Sequence, residues 1–285
     1  MIKINEIPNN EEPRKKIISK LDPHFKDKGG SVPWMEPSES SFICSLLQVY
    51  RPKKILEVGV AKGGTTAIVL QVLEDMNVPY ELYSVDLAPK TGGQDTGFLA
   101  TFAKENNLLT TSPQSTLRGT HEFHLGKYLP QVIDEIGGDI DFVILDTVHY
   151  TPGELLDFLV MLPYLKDNAI VVLHDVALNQ RNLSYHTPDA HATGLLFSAV
   201  VAEEKFLNYE PEGNYPNIGA FRVNEQTYNN IENVFLALML TWHYLPKDDE
   251  ITIYRDFYNR YYPAKLVNIF DETVRLNRNN VALKK

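Results

Sequence analysis

The chain has 285 residues but a single cysteine, Cys44, and no apolar run near the ~20 residues that a membrane-spanning helix needs. One cysteine cannot form an internal disulfide, which is typical of proteins from a reducing compartment. The N-terminal stretch MIKINEIPNNEEPRKK also lacks the apolar core of a secretion signal. These absences predict a cytoplasmic protein without a membrane partner.

Basic residues are also scarce, with 27 Lys and Arg against 37 Asp and Glu and a net charge of −10. A protein that coats nucleic acid needs a basic face, so the charge argues against a nucleic-acid partner. No internal repeat or low-complexity block is visible, which argues against repeat architectures. The remaining composition, 44% hydrophobic and 22% charged, is that of an ordinary globular protein.

Strand-like and helix-like segments alternate through the middle of the chain. The strand-like segments are KILEV, ELYSVDL, HEFHL, DFVILD and AIVVLHD. Apolar residues at helical spacing lie between them, most clearly over 65–76 and 154–165. This alternation predicts an α/β fold with a parallel sheet and helices on both faces. Two later segments, FLNYE and IGAFRV, are not separated by a long helix, which predicts an antiparallel pair at the sheet edge.

These patterns divide the chain into three predicted parts. Residues 51–227 are predicted to form a doubly wound domain with a mostly parallel, seven-stranded Rossmann-like sheet and an antiparallel edge strand. Residues 1–50, which are polar and interrupted by proline, contain the helix-like FICSLLQVY and are predicted to be a helical N-terminal arm. Residues 228–285 are helical in pattern and rich in aromatics, and they form the predicted C-terminal appendage.

A loop of residues 59–64, GVAKGG, follows the first strand. In an open parallel sheet the ligand binds beyond the carboxyl ends of the strands, so this loop is the first candidate for a site. A phosphate-binding P-loop requires Gly-Lys-Ser/Thr, which is not the order here. A dinucleotide loop is disfavoured because Glu57 would lie near the pyrophosphate. S-adenosylmethionine carries an ammonium and a sulfonium, which suit Glu57, and a ribose whose hydroxyls suit Asp86 at the end of the second strand.

Polar residues also follow the fourth and fifth strands. Asp146 ends the fourth strand, His149 lies three residues later, and His174 and Asp175 end the fifth. Because these strand ends meet at one edge of a parallel sheet, we expect the four side chains to converge there.

From about residue 50 to 176 the chain resembles class I S-adenosylmethionine-dependent methyltransferases. Within this class it is most similar to small-molecule O-methyltransferases of the cephalosporin-hydroxylase-like and macrocin O-methyltransferase-like branch. That branch typically reads E-x-G-x-x-x-G-G/Y-S/T, then an acid after strand two, D-x-x-H after strand four and H-D after strand five. The matching residues are Glu57, Gly59, Gly63, Gly64 and Thr65, then Asp86, then Asp146 with His149, then His174 with Asp175.

The resemblance implies a cofactor site at the first three strand ends. It implies that the loop glycines lie against the methionine part of S-adenosylmethionine, with Glu57 near the ammonium and Asp86 on the ribose. Residues 125–127 would flank the adenine. The expected cofactor-binding residues are Glu57, Gly59, Val60, Gly63, Gly64, Thr65, Asp86, Leu87, Leu125, Gly126, Lys127 and Asp146.

The resemblance also implies methylation of a small-molecule hydroxyl, of a sugar or a natural product, with His149, Asp146 and Asp175 as catalytic residues. Histidine is the preferred general base because its unperturbed pKa of ~6.5 lies near neutrality. Some relatives hold a divalent metal such as Mg²⁺ between the carboxylates that correspond to Asp146 and Asp175. The chain departs from related patterns in having Val148 and Val176 where some relatives have further polar ligands.

Other interpretations stay open at this point. A non-catalytic module of the same fold could bind S-adenosylmethionine or a partner, and a nicotinamide oxidoreductase is disfavoured by Glu57 and Ala61. Loop histidines could line an acceptor pocket or be solvated, and two residues of the arm could cover the cofactor or pack on the domain. The tail aromatics indicate packing or a homodimer surface. The loop histidines are His186 and His191, and the two residues of the arm are Trp34 and Met35. The tail aromatics are Trp242, Tyr244, Tyr254, Phe257, Tyr258, Tyr261 and Tyr262.

Overall fold

The computed structural model describes residues 3–25, 35–109, 117–180, 189–208 and 217–283. The strands are β1 Lys54–Val58, β2 Glu81–Asp86, β3 Lys90–Thr91, β4 Gln94–Asp95, β5 Thr120–Leu125, β6 Ile140–Leu145, β7 Leu165–His174, β8 Lys205–Leu207 and β9 Ile218–Arg222. The helices are α1 Glu12–Phe25, α2 Pro37–Tyr50, α3 Gly64–Met76, α4 Phe98–Glu105, α5 Ile133–Ile136, α6 Gly153–Met161, α7 Ala192–Ala199, α8 Glu225–Asn229, α9 Glu232–Ala237, α10 Asp248–Tyr261 and α11 Ala264–Leu283. Short 3₁₀ turns cover Ile4–Glu6, Leu129–Gln131, Leu162–Tyr164 and Leu178–Gln180.

Seven of these strands form one sheet in the order β5-β2-β1-β6-β7-β9-β8. The β1–β2 and β2–β5 pairs are parallel, whereas β9 runs antiparallel to both β7 and β8. The predicted mostly parallel seven-stranded sheet with an antiparallel strand at one side is therefore confirmed. The antiparallel pair predicted from FLNYE and IGAFRV is β8 with β9, and β9 lies one position in from the edge.

A small hairpin interrupts the segment after β2 that the sequence suggested to be a polar loop. Strands β3 and β4 pair antiparallel, with Lys90 opposite Asp95 and Thr91 opposite Gln94. Gly92 and Gly93 between them have φ of +60° and +82°. Two central residues with positive φ are the requirement of a tight hairpin turn, and glycine meets it without steric cost.

Two compact units divide the chain by their internal contacts. One comprises Met1–Tyr128 with Ile140–Ile144, and the other comprises Leu129–Asp139 with Leu145–Lys285. The division into an arm of 1–50, a domain of 51–227 and an appendage of 228–285 stays a prediction. Among the described residues, no helix combines the length and the apolar character that crossing a bilayer requires.

The first unit is built on the sheet strands β1, β2 and β5 with helices against them. The helix after the glycine loop, α3, is buried along most of its length because its sequence, GTTAIVLQVLEDM, is apolar on nearly every side. The predicted arm contributes α1, whose Phe25 packs edge-on against Phe98 and Phe102 of α4. This packing keeps the helix that follows the β3–β4 hairpin close to the body of the unit.

In the second unit, the aromatic tail packs onto α6. Tyr258 and Phe257 are almost completely buried, and the hydroxyl of Tyr258 donates to the Leu156 carbonyl at 3.0 Å. The Tyr254 hydroxyl likewise donates to Asp157 at 2.9 Å. Buried tyrosines normally need such partners for their hydroxyls, and these bonds attach α10 to α6. Most of the tail aromatics are therefore core residues, whereas Tyr244 and Tyr261 are exposed.

Candidate active site

The loop after β1 turns sharply at two glycines. Gly59 has a φ of +93° and donates its N–H to the Val85 carbonyl on β2 at 2.9 Å. Gly63 has a φ of +82°, donates to the Val60 carbonyl at 2.8 Å and directly precedes α3. Both backbone conformations lie in the region that only glycine adopts readily, so the two glycines are required by the turn itself.

Gly63 is also required by a close approach of another segment. A Cβ atom on Gly63 would lie only 2.8 Å from the Cα of Gly97. Gly97 donates its N–H to the Ala61 carbonyl at 2.9 Å, and Leu99 donates to the Lys62 carbonyl at 3.0 Å. The start of α4 therefore binds directly to the loop. Sequence reasoning missed Gly97, whose only signal was a glycine immediately before a helical pattern.

Asp86, at the end of β2, binds the loop through its carboxylate. One carboxylate oxygen accepts from the backbone N–H of Val60 at 2.8 Å and of Ala61 at 2.9 Å. The other oxygen accepts from the Ala88 N–H at 2.7 Å. These bonds fix the orientation of a half-buried carboxylate, and the oxygen that binds Ala88 still has a lone pair for a ligand hydroxyl.

An apolar, open surface lies next to this carboxylate. Leu87, the residue directly after the strand, is 49% exposed. Gly126 donates to the Asp86 carbonyl at 2.8 Å, and a Cβ on it would meet no described atom within 4 Å. A fixed carboxylate beside exposed apolar surface and open backbone fits a ribose with a flat base attached. Of the neighbours expected to flank the base, Leu125 is half-buried and Lys127 is exposed.

Glu57 lies beneath the loop rather than on its surface, with only 1% of the residue exposed. Its Oε2 accepts from the Thr66 hydroxyl at 2.8 Å and from the Ser84 hydroxyl at 2.6 Å. Thr65, the threonine predicted from the motif, is half-buried, and its neighbour Thr66 holds the acid. Sequence reasoning missed Thr66 and Ser84. Ser84 is the register partner of Glu57 on β2, so the strand alignment would have indicated it.

The second unit brings together the four polar residues at the ends of β6 and β7. His174 Nδ1 lies 3.1 Å from an oxygen of Asp146 and 3.3 Å from an oxygen of Asp175. His149 Nε2 lies 3.2 Å from the same oxygen of Asp175 and 3.9 Å from Asp146. The other oxygen of Asp175 accepts from the Asn217 amide at 2.6 Å. We call Asp146, His149, His174 and Asp175 the acid–histidine cluster.

The charges in this cluster compensate each other. Burial by itself lowers the pKa of His174, but the carboxylates of Asp146 and Asp175 outweigh it and raise this pKa well above its ordinary value. For Asp175 burial acts to raise the pKa, but the charge and hydrogen bond of His174, followed by His149 and Asn217, hold it below the usual range. His174 is therefore an imidazolium between two carboxylates, a pairing that a buried charge requires.

His149 is held from its other side by Glu154, at the start of α6. The Glu154 side chain is fully buried and accepts from the His149 backbone N–H at 2.5 Å and from the Thr147 hydroxyl at 2.9 Å. Its oxygen lies 3.6 Å from His149 Nδ1, so Nε2 is the nitrogen directed towards Asp175. Burial raises the pKa of Glu154, and His149 and Thr147 offset part of this effect. Sequence reasoning missed Glu154, although it follows His149 by five residues.

Three members of the cluster together could hold a metal ion. Asp146, His149 and Asp175 each offer one donor atom, and these atoms lie within 4.8 Å of one another. Carboxylate and imidazole donors are ordinary ligands of divalent ions. The same two carboxylates, however, already bind the imidazolium of His174, so an ion would compete with a buried positive charge.

The remaining candidates are scattered. Met35 is buried, which favours packing over a role as a cover for the cofactor. His191 is half-buried and directly precedes α7. Trp34 and His186 lie outside the described residues.

Residues 56–176, which contain the glycine loop, Asp86 and the acid–histidine cluster, match the family model described as a methyltransferase domain. This segment is similar to methyltransferase domains. The prediction of an S-adenosylmethionine-dependent methyltransferase is thereby confirmed. The chain has no match among curated proteins.

Solved structures resemble the fold of this methyltransferase at low sequence identity. Cofactor-bound Rv0187 from MTB has a TM-score of 0.51 and 13% identity, with 76% of this chain and 91% of that chain covered. The O-methyltransferase TomG from Streptomyces achromogenes, involved in tomaymycin synthesis and solved with S-adenosylmethionine, has a TM-score of 0.49 and 17% identity, with 76% and 92% covered. S-adenosylhomocysteine-bound PaMTH1 from Podospora anserina has a TM-score of 0.49 and 14% identity, with 77% and 98% covered.

The contact between Gly63 and Gly97 predicts an effect on stability. Gly63→Ala should lower the free energy of unfolding by about 2–4 kcal/mol, because the positive φ and the steric overlap add up. Gly93→Ala is the matched control, since Gly93 has the same φ of +82° but no described atom within 4 Å of its Cβ position. It should cost only about 1–2 kcal/mol. Urea unfolding without cofactor measures both, and equal losses would contradict the close approach.

Proposed function

We propose that this methyltransferase transfers the methyl group of S-adenosylmethionine to a hydroxyl of a small molecule, of the sugar or natural-product class. The observation that carries the proposal is His149, an imidazole whose Nε2 lies 3.2 Å from Asp175 and whose backbone N–H is bound by the buried Glu154. Such an imidazole suits the removal of a proton from a hydroxyl. A methyl acceptor that is a hydroxyl needs this step, because the neutral oxygen is a weak nucleophile.

The first unit supplies the groups for the cofactor. Asp86 would accept a hydrogen bond from a ribose hydroxyl at its remaining lone pair, and Leu87 and Gly126 would border the adenine. The backbone of Gly59, Gly63 and Gly64 would lie against the methionine part. Glu57 lies one layer deeper, so we propose that it attracts the ammonium by its charge from beneath the loop. S-adenosylmethionine, when bound, supplies an electrophilic methyl on a sulfonium.

The acid–histidine cluster of the second unit would handle the proton. His149 would take the proton of the acceptor hydroxyl. Bound S-adenosylmethionine would supply the methyl group, with its sulfur as the leaving group. Asp146 and Asp175 would stabilise the imidazolium formed on His149, and Glu154 would keep the residue in place by accepting from its backbone N–H.

A metal-assisted reaction is the second candidate, with Asp146 and Asp175 as ligands of Mg²⁺. The three donor atoms within 4.8 Å of one another support it. Against it stands the His174 imidazolium, which binds both carboxylates and would have to lose its proton or move. We therefore propose that the cluster acts through His149 without a metal.

A non-catalytic binding module is the remaining alternative. Backbone strain argues against it, because His149 and Asp175 both have left-handed φ angles, of +63° and +60°. Non-glycine residues in this region cost free energy and concentrate at functional sites. The cytoplasmic location and a homodimer stay predictions.

Substitution of Asp86 tests the cofactor assignment. Asp86→Ala should weaken S-adenosylmethionine binding by about 1.5–3 kcal/mol, which is the contribution of one charged hydrogen bond. Asp86→Asn keeps an acceptor oxygen for the loop and should lose less. Isothermal calorimetry measures both affinities. An unchanged affinity in a folded Asp86→Ala variant would remove Asp86 from the site.

Substitution of His149 tests the catalytic assignment. His149→Ala should slow turnover by ~10²–10⁴ while leaving the affinity for S-adenosylmethionine nearly unchanged. Release of S-adenosylhomocysteine with a panel of phenols, sugars and polyhydroxylated natural products measures the rate. Glu154→Gln keeps the shape but not the charge behind Nδ1, and its rate should fall between wild type and His149→Ala. Turnover above about a tenth of wild type in His149→Ala would assign the base elsewhere.

Chelation separates the two mechanisms. If the cluster acts through His149 alone, exhaustive treatment with EDTA should leave the rate of S-adenosylhomocysteine release unchanged. A loss that added Mg²⁺ restores would instead place the ion at Asp146 and Asp175. The variant Asp146→Asn serves as the control, since it should abolish any restoration by Mg²⁺ at this site.

A further inference from the structure

A hydrogen-bonded row of polar side chains runs from α4 across two strands to Glu57, within the first unit. Lys104 Nζ lies 3.2 Å from His121 Nδ1. His121 Nε2 lies 3.0 Å from the Ser84 hydroxyl, which in turn lies 2.6 Å from Glu57 Oε2. We call Lys104, His121 and Ser84 the relay. Its contacts are side chain to side chain, so none of them is required by the sheet itself.

The donors in the relay have only one consistent direction. The carboxylate of Glu57 can only accept, so the single hydroxyl proton of Ser84 is donated to it. The Ser84 oxygen must then accept from a proton on His121 Nε2. A neutral imidazole with its proton on Nε2 has a lone pair on Nδ1, and the Lys104 ammonium donates there. Every proton in the relay therefore points towards Glu57.

The surroundings keep His121 neutral, which preserves this direction. Burial, and then the nearby charge of Lys104, lower the pKa of His121 to about 3. The His121 ring packs against the Phe123 ring, with centroids 4.3 Å apart. Lys104 Nζ lies 5.6 Å from the centroid of the Phe123 ring. A doubly protonated imidazole would place a second positive charge beside Lys104, so the neutral tautomer persists near neutral pH.

We propose that His121 is a positioning residue for the methionine end of the cofactor, acting through Ser84 on Glu57. The inference rests on the proposed function, in which Glu57 attracts the ammonium of S-adenosylmethionine. Two hydroxyl donors on a single oxygen fix the rotamer of the Glu57 carboxylate, and His121 fixes the Ser84 hydroxyl. Without His121 the Ser84 hydroxyl loses the donor that orients it, and the carboxylate loses its defined direction.

The relay acts on the amino-acid end of the cofactor only, and this gives a selective test. His121→Leu should weaken binding of S-adenosylmethionine by about 2–12-fold, as expected for the loss of one hydrogen bond between neutral groups. Binding of 5′-methylthioadenosine, which has the same nucleoside but no amino-acid part, should change less than about twofold. His121→Gln offers an N–H near the position of Nε2 and should recover most of the affinity. Isothermal calorimetry measures the affinities of both ligands for wild type and for each variant.

Controls on the same elements complete the experiment. His124→Leu, on the same strand, removes a histidine whose ring lies near Tyr83 and should leave the ratio of the two affinities unchanged. Ser84→Ala should reproduce the selective loss, and His121→Leu added to it should cause no further loss. Ser84→Ala and His121→Gln also carry the test if His121→Leu fails to fold.

The outcomes separate this inference from the proposed function. An equal loss for both ligands, or no loss for either, in His121→Leu overturns the positioning role while wild type still binds S-adenosylmethionine. A wild-type protein that binds neither ligand overturns the proposed cofactor itself. Additive losses in the Ser84 and His121 variants would show that His121 does not act through Ser84.

Discussion

The geometry of the first unit depends on the carboxylate of Asp86. It accepts from the backbone N–H groups of Val60 and Ala61, and so ties the end of β2 to the loop after β1. Backbone groups in a tight loop have few partners of their own, and a carboxylate satisfies two of them with one oxygen. The residue that we propose to bind the ribose thus also shapes the loop. Cofactor binding and loop geometry are therefore coupled through one side chain.

The sequence predicted the features that follow from local patterns, but not the contacts that depend on packing. The order of strands and helices follows from apolar periodicity, and the loop follows from its glycines, so both were predicted correctly. The contact of Gly97 with Gly63 depends on how the start of α4 packs, which no local pattern encodes. Thr66 and Ser84 hold Glu57 through side-chain contacts that depend on helix phase and strand register. The residue types were visible in the sequence, but their partners were not.

In the second unit, Val148 and Val176 are the two positions at which the sequence departs from related patterns. Val148 stands where sugar-modifying relatives have an acid, and it is 44% exposed. The cluster nevertheless contains two carboxylates, and the His174 imidazolium compensates one of their two charges. An internal counter-ion of this kind lowers the need for an external cation at the same oxygens. The lack of further polar ligands at Val148 and Val176 is thus consistent with the positive charge that His174 places between the carboxylates.

Two residues of the acid–histidine cluster have an unusual backbone conformation. His149 and Asp175 are both left-handed, and neither has the freedom of glycine. Local hydrogen bonds hold each in place: Glu154 accepts from the His149 N–H, and Asn217 donates to the Asp175 carboxylate. Strain that neighbouring groups maintain has a cost of about 1–3 kcal/mol per residue. These bonds leave an imidazole and a carboxylate 3.2 Å apart, the pair to which we assign proton removal from an acceptor hydroxyl.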